Sequence, residues 1–120
     1  MKIEAQRISC VNSAAFVMHF SITTTIGGKN LPIASTENFP VGQERTIDLS
    51  TIENLAEGTE VTLTVKAVLG KEKDYQEKIT YRKNGHTQVF RIHGTTLNYE
   101  IQACNYIVEH GRNCHTLFLQ

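Results

Sequence analysis

Apolar and polar residues alternate along most of this chain, and a period of two leaves little room for anything but β-strands. In "AAFVMHFSITTTI", Ala14, Phe16, Met18, Phe20 and Ile22 alternate with polar residues from His19 onward. In "EVTLTVKAVLG", Val61, Leu63, Val65, Ala67 and Leu69 point one way, and Thr62, Thr64 and Lys66 the other. Leu97, Tyr99, Ile101 and Ala103 alternate with Asn98, Glu100 and Gln102. Shorter strands are expected near 3–11, 31–36, 44–49, 75–82, 87–93 and 115–119. Within 3–11 the apolar phase slips, from Ile3 and Ala5 to Ile8 and Cys10. A bulge or a strand that changes sheets produces such a slip.

One segment reads as helical. "DLSTIENLAEG" offers Ser50 as N-cap with Glu53 three residues on, then Ile52 and Leu55 on one side and Gly58 as a stop. It predicts a helical turn near 50–56. Many short strands with turn signals about ten residues apart suggest one domain over 1–120, an antiparallel two-sheet β-sandwich of seven to nine strands. Its general form is expected to be immunoglobulin-like or jelly-roll-like, although the chain has no Trp to supply the immunoglobulin marker.

Asn84-Gly85 lies between two alternating runs and suits a type I′ hairpin turn. That register sets Lys83 opposite His86, Tyr81 opposite Gln88, Ile79 opposite Phe90 and Lys78 opposite Arg91. Lys78, Arg82, Lys83, His86 and Arg91, with His93 beyond them, then form a basic exposed ribbon. It serves either to grip an acidic protein surface or only to keep a sheet edge from pairing. The Glu-rich stretch 53–60 is a candidate acidic partner, in the same chain or another.

Charge narrows the function classes. Twelve Lys and Arg balance twelve Asp and Glu, so the excess of cations on which nucleic-acid binding rests is missing. Residues 1–60 hold four cations and seven anions, for −3, and residues 61–120 hold eight and five, for +3. That asymmetry favours head-to-tail contact between copies. No run approaches the roughly 20 apolar residues of a membrane-spanning helix. The polar opening "MKIEAQRISC" carries no secretory signal. Three cysteines, Cys10, Cys104 and Cys114, do not look like a disulfide framework, so reduced thiols and a cytoplasmic location are expected, with one bridge plus a free thiol as the alternative.

Catalytic and metal motifs are scarce. His110, Cys114 and His115, with Glu109 nearby, have zinc-ligand chemistry, but their spacing matches no familiar site and a fourth ligand is missing, so no metal or other cofactor is expected. Cys114 and His115 are chain neighbours that point to opposite faces of a strand, which argues against a nucleophile–base pair. No phosphate loop, dinucleotide fingerprint or nucleophile elbow is present. A polar stripe of Asn98, Gln102, Asn105 and Tyr106 is the candidate for carbohydrate binding. The expectation is therefore a non-enzymatic, self-associating protein-contact domain. The alternative is a small lectin or other ligand-binding, toxin-like module.

Overall fold

The computed structural model describes residues 3–104, which form ten strands: β1 (Ile3–Ala5), β2 (Arg7–Asn12), β3 (Met18–Ile26), β4 (Lys29–Ser35), β5 (Glu44–Asp48), β6 (Glu60–Ala67), β7 (Glu72–Asp74), β8 (Ile79–Tyr81), β9 (Thr87–Thr95) and β10 (Asn98–Cys104). The strand expected at 115–119 lies outside the described residues. A six-stranded sheet runs β1-β8-β6-β3-β4, with β7 also on β6, and a four-stranded sheet runs β10-β9-β2-β5.

The phase slip in 3–11 is a change of sheet. β1 pairs with β8, Ile3 opposite Ile79, whereas β2 pairs with β5 and β9. Gln6 is the hinge between them, and Ala5 and Ile8 on either side are both fully buried. The crossing is pinned by the His86 carbonyl, which accepts from the Gln6 and Arg7 amides at 2.9 and 3.1 Å.

Four expectations change. The strand count is ten where seven to nine were expected, because the 3–11 run splits into two strands and 72–81 into two. The sheets are mixed rather than antiparallel, because β1–β8 and β2–β9 run parallel. Antiparallel neighbours can be joined by a tight turn, but each parallel pair here joins strands far apart in the chain. The runs flanking Asn84-Gly85 are not a hairpin: β8 belongs to the six-stranded sheet and β9 to the four-stranded one. The two-residue turn with positive φ at both centres is instead Gly27-Gly28, at +60° and +82°, closing β3 onto β4. The helical segment is a single 3-10 turn, Leu49–Thr51, and its cap is Asp48 rather than Ser50. The Asp48 carboxylate accepts from the Ser50 amide at 2.9 Å and its hydroxyl at 2.6 Å, which lowers its pKa. With Asp48 capping two residues earlier, the capping box of Ser50 and Glu53 has no helix to start.

One hydrophobic cluster takes side chains from both sheets. Phe20, Ile22, Leu63, Val65 and Ile79 come from the six-stranded sheet, and Ile8, Cys10, Phe90, Ile92 and Tyr99 from the four-stranded one. Each such aliphatic or aromatic side chain contributes roughly 1.5–3 kcal/mol on burial. Cys10 is a free thiol in this cluster, and burial pushes it well above the ordinary thiol range. Cys104 is disulfide-bonded, so the expectation of reduced thiols holds for Cys10 and fails for Cys104. The argument for a reducing, cytoplasmic compartment falls with it.

Candidate functional site

The basic residues do not gather into one ribbon. Lys78 donates to the Thr62 hydroxyl at 2.8 Å on the neighbouring strand β6, nowhere near a position across from Arg91. Arg91 sits in mid-β9, paired with Val11 of β2 and Gln102 of β10. Arg82 Nε meets the Glu4 carboxylate at 3.2 Å. The Lys83 amide donates to Glu57 at 3.0 Å, so this member of the Glu-rich stretch 53–60 is engaged within the same chain. His86 is exposed and uses its backbone to hold the sheet crossing. The connection 82–86 is a strap that ties the two sheets together, and its acidic partners are internal.

Of the polar stripe, Asn98 and Gln102 are exposed on β10, with Gln102 opposite Arg91. Asn105 and Tyr106 lie outside the described residues, as do the metal candidates His110, Cys114 and His115. Among the described residues no group of three or more His, Cys, Asp or Glu side chains is placed to hold a metal ion.

A different surface emerges at one end of the molecule. Three turns meet there: residues 13–17 between β2 and β3, 68–71 between β6 and β7, and 96–97 between β9 and β10. They are held together by the Val68 amide on the Val17 carbonyl at 2.9 Å and the Ala15 amide on the Gly94 carbonyl at 3.0 Å. Gly70 packs so closely on the third turn that a Cβ there would stand 2.7 Å from the Thr96 carbonyl oxygen.

What these turns present to solvent is apolar. Leu69 is 92% exposed, Leu97 72% and Val17 42%. A shallow cavity of about 280 Å³ beside Val17 and Leu69 is lined by Ala15, Phe16, Val17, Val68, Leu69 and Thr96. Phe16 is half-buried and meets the Tyr99 ring edge-on at 5.0 Å, so the patch is backed by the core. Residues 13–17, 68–71 and 96–97 contain no carboxylate, while Lys71 is exposed and the Lys66 ammonium caps the Ala67 and Gly70 carbonyls at 2.9 and 2.6 Å.

Periodicity assigned Leu69 and Leu97 to the buried faces of their strands, and both are exposed. β6 ends at Ala67 and β10 begins at Asn98, so each leucine sits in a turn where alternation no longer decides its direction. The available signal was turn chemistry: Leu69 precedes Gly70, and Leu97 lies between Gly94 and Asn98.

No family model and no curated protein matches the chain. A solved structure of pneumolysin aligns with 81% of this chain and 22% of that one, at 14% identity and a TM-score of 0.46. This chain therefore spans about a fifth of that protein's length.

Proposed function

We propose that this is a non-catalytic, immunoglobulin-like β-sandwich that acts by surface contact, and that its contact surface is the apolar end built by the three turns. One cluster shared by two sheets supports the sandwich. The single observation that carries the function is the exposure of Leu69, Leu97 and Val17 on three adjoining turns. Lone exposed leucines are ordinary on protein surfaces, but a grouped apolar patch marks a site of contact. The first partner is a second copy of the chain, which would bury the same patch isologously. Light scattering at two concentrations and two salt levels tests this. An apolar contact gives a dimer that persists in high salt and is lost in Leu69→Ser/Leu97→Ser. A monomer at every concentration sinks it.

A second reading is favoured by the shape and charge of the same patch. Its apolar side chains stand on exposed turns, with Lys71 exposed in one of them, the Lys66 ammonium on the Gly70 carbonyl and no carboxylate in the three turns. That arrangement suits shallow insertion at a lipid interface. Co-sedimentation with phosphatidylcholine vesicles, with and without phosphatidylserine, separates the two. Vesicle binding that the double serine variant loses supports the lipid reading, and its absence removes it.

A further inference from the structure

The sheet edges of this protein are not equally protected. β4 closes one edge of the six-stranded sheet and carries two blocking devices. Pro32 has no N–H, and Ile33 is an extra residue where the register jumps from Ile22↔Ala34 to Thr23↔Pro32. Among the described residues, β10 closes one edge of the four-stranded sheet, and it has neither device. Its register with β9 is unbroken from Asn98↔Thr95 to Cys104↔Val89.

The direction of its free backbone groups follows from the turn. Thr95 and Asn98 flank a two-residue loop, so they form a hydrogen-bonded pair, and every second residue after Asn98 does the same. Asn98, Glu100, Gln102 and Cys104 therefore bond β9, and Tyr99, Ile101 and Ala103 turn their N–H and C=O away from it. Tyr99 confirms this, because its carbonyl accepts from Lys73 Nζ at 3.0 Å on the far side. The backbone groups of Ile101 and Ala103 point the same way and bond no described residue.

They open into a groove of about 600 Å³. Its far wall is the β7–β8 connection, with Tyr75 and Glu77, and Ile3 of β1 lies beside them. The outer side of β10 adds Glu100 and Gln102, and Glu100 lies 3.9 Å from His93. Burial, and then the neighbouring Glu77 carboxylate, push the Tyr75 phenol up. The groove thus has the outward backbone groups of Ile101 and Ala103 on one wall, an apolar side at Tyr75 and Ile3, and carboxylates at Glu77 and Glu100.

We infer that the edge of β10 accepts an extended, cationic segment of a partner protein as an added strand. The backbone of that segment pairs with Ile101 and Ala103. Side chains of one parity face Tyr75 and Ile3, and those of the other parity carry Lys or Arg toward Glu77 and Glu100. Charge selects a foreign segment over a second copy of β10. Two β10 edges pairing with each other would bring two sets of Glu77 and Glu100 together, and Glu100 is the sole charge on that strand. This surface is separate from the apolar end.

The test uses the full chain and a synthetic six-residue peptide alternating Val and Lys. Without peptide, the Ile101 and Ala103 amides exchange with solvent as fast as open-loop amides, while those of Glu100 and Gln102 are protected. Saturating peptide protects and shifts Ile101 and Ala103. Peptides N-methylated at one parity lose binding and those methylated at the other keep it. Glu100→Lys weakens binding roughly tenfold, as expected for a close charge reversal. Ala103→Pro removes an outward-facing donor at a position where an edge strand tolerates proline, and it too weakens binding. Amides of Ile101 and Ala103 that are already protected in the free chain overturn the inference. So does equal binding of a Val-Glu peptide, or equal loss from methylation at either parity.

Discussion

The Tyr99 hydroxyl, carried on β10 of the four-stranded sheet, donates to the Lys71 carbonyl at 2.7 Å, with the Val65 carbonyl of the six-stranded sheet 3.1 Å away. The ring is 3% exposed, so this bond joins the two sheets inside the core. Burial, and then the charge of Glu72, push the phenol up to about 12. An unfolded tyrosine ionises near pH 10. Between about pH 10 and 12 the unfolded chain releases this proton and the folded chain keeps it, so stability falls as pH rises through that window. Below pH 10 the contribution is fully present. Thermal melts from pH 9 to 12 should show the fall, and Tyr99→Phe should show a shallower one. At neutral pH the same variant loses about 1 kcal/mol with the hydrogen bond.

Gly94 should tolerate no side chain. Its φ is +124°, and an added Cβ would stand 2.5 Å from the Asn98 carbonyl oxygen and 2.7 Å from Tyr99 Cα. Both obstacles are backbone of the paired strand β10, so neither can swing away. Backbone strain of about 1–3 kcal/mol adds to the cost of overpacking. Gly94→Ala is expected to lose about 2–4 kcal/mol in chemical denaturation, whereas Gly85→Ala, whose Cβ meets nothing within 4 Å, should lose less.

Local pattern revealed the strands, and long-range pairing stayed hidden. Alternation in 18–26 and 61–67 located β3 and β6 because each keeps its apolar side chains on one face, although Thr62 and Thr64 on the polar face of β6 are covered as well. The phase slip between Ala5 and Ile8 pointed to a bulge or a change of sheet, and the structure has the change of sheet. Asn84-Gly85 misled because turn chemistry reports a reversal without saying which sheet receives each arm. There Gly85 takes positive φ and Asn84 does not, and the Asn84 side chain accepts from the His86 amide at 2.9 Å instead. The parallel pairing of Ile3 with Ile79 has no local signature at all. The basic ribbon failed for the same reason: its members were grouped through a hairpin that does not form. The apolar end was missed because Leu69, two residues past the end of β6, and Leu97, one residue before the start of β10, continue their strands' alternation.

Asn12 is fully buried and satisfies three backbone groups. Its Nδ2 donates to the Phe16 carbonyl at 2.8 Å and the Phe39 carbonyl at 3.1 Å, and its Oδ1 accepts from the Ala14 amide at 3.0 Å. These bonds fix the turn 13–17, one of the three that build the apolar end. Asn12→Ala leaves those groups without the side chain and opens a void. Each orphaned buried group costs about 1–3 kcal/mol, so a loss of about 3–5 kcal/mol is expected, allowing for partial rescue by water. Asn12→Asp should fare little better, because a buried carboxylate cannot donate to the two carbonyls. Urea denaturation measures both.

Thr80 offers the opposite case. It lies in mid-β8 at 3% exposure, and its hydroxyl oxygen has no hydrogen-bond partner among the described residues. A hydroxyl taken out of water without a partner costs free energy that a methyl group of the same shape does not. β8 is already β-branched at Ile79, and valine suits a strand at least as well as threonine. Thr80→Val should therefore raise stability by about 1 kcal/mol, and Thr80→Ser, which keeps the hydroxyl and loses the methyl, should lower it. Paired urea midpoints decide the matter. Equal losses in both variants would mean that the Thr80 hydroxyl has found a bridging water.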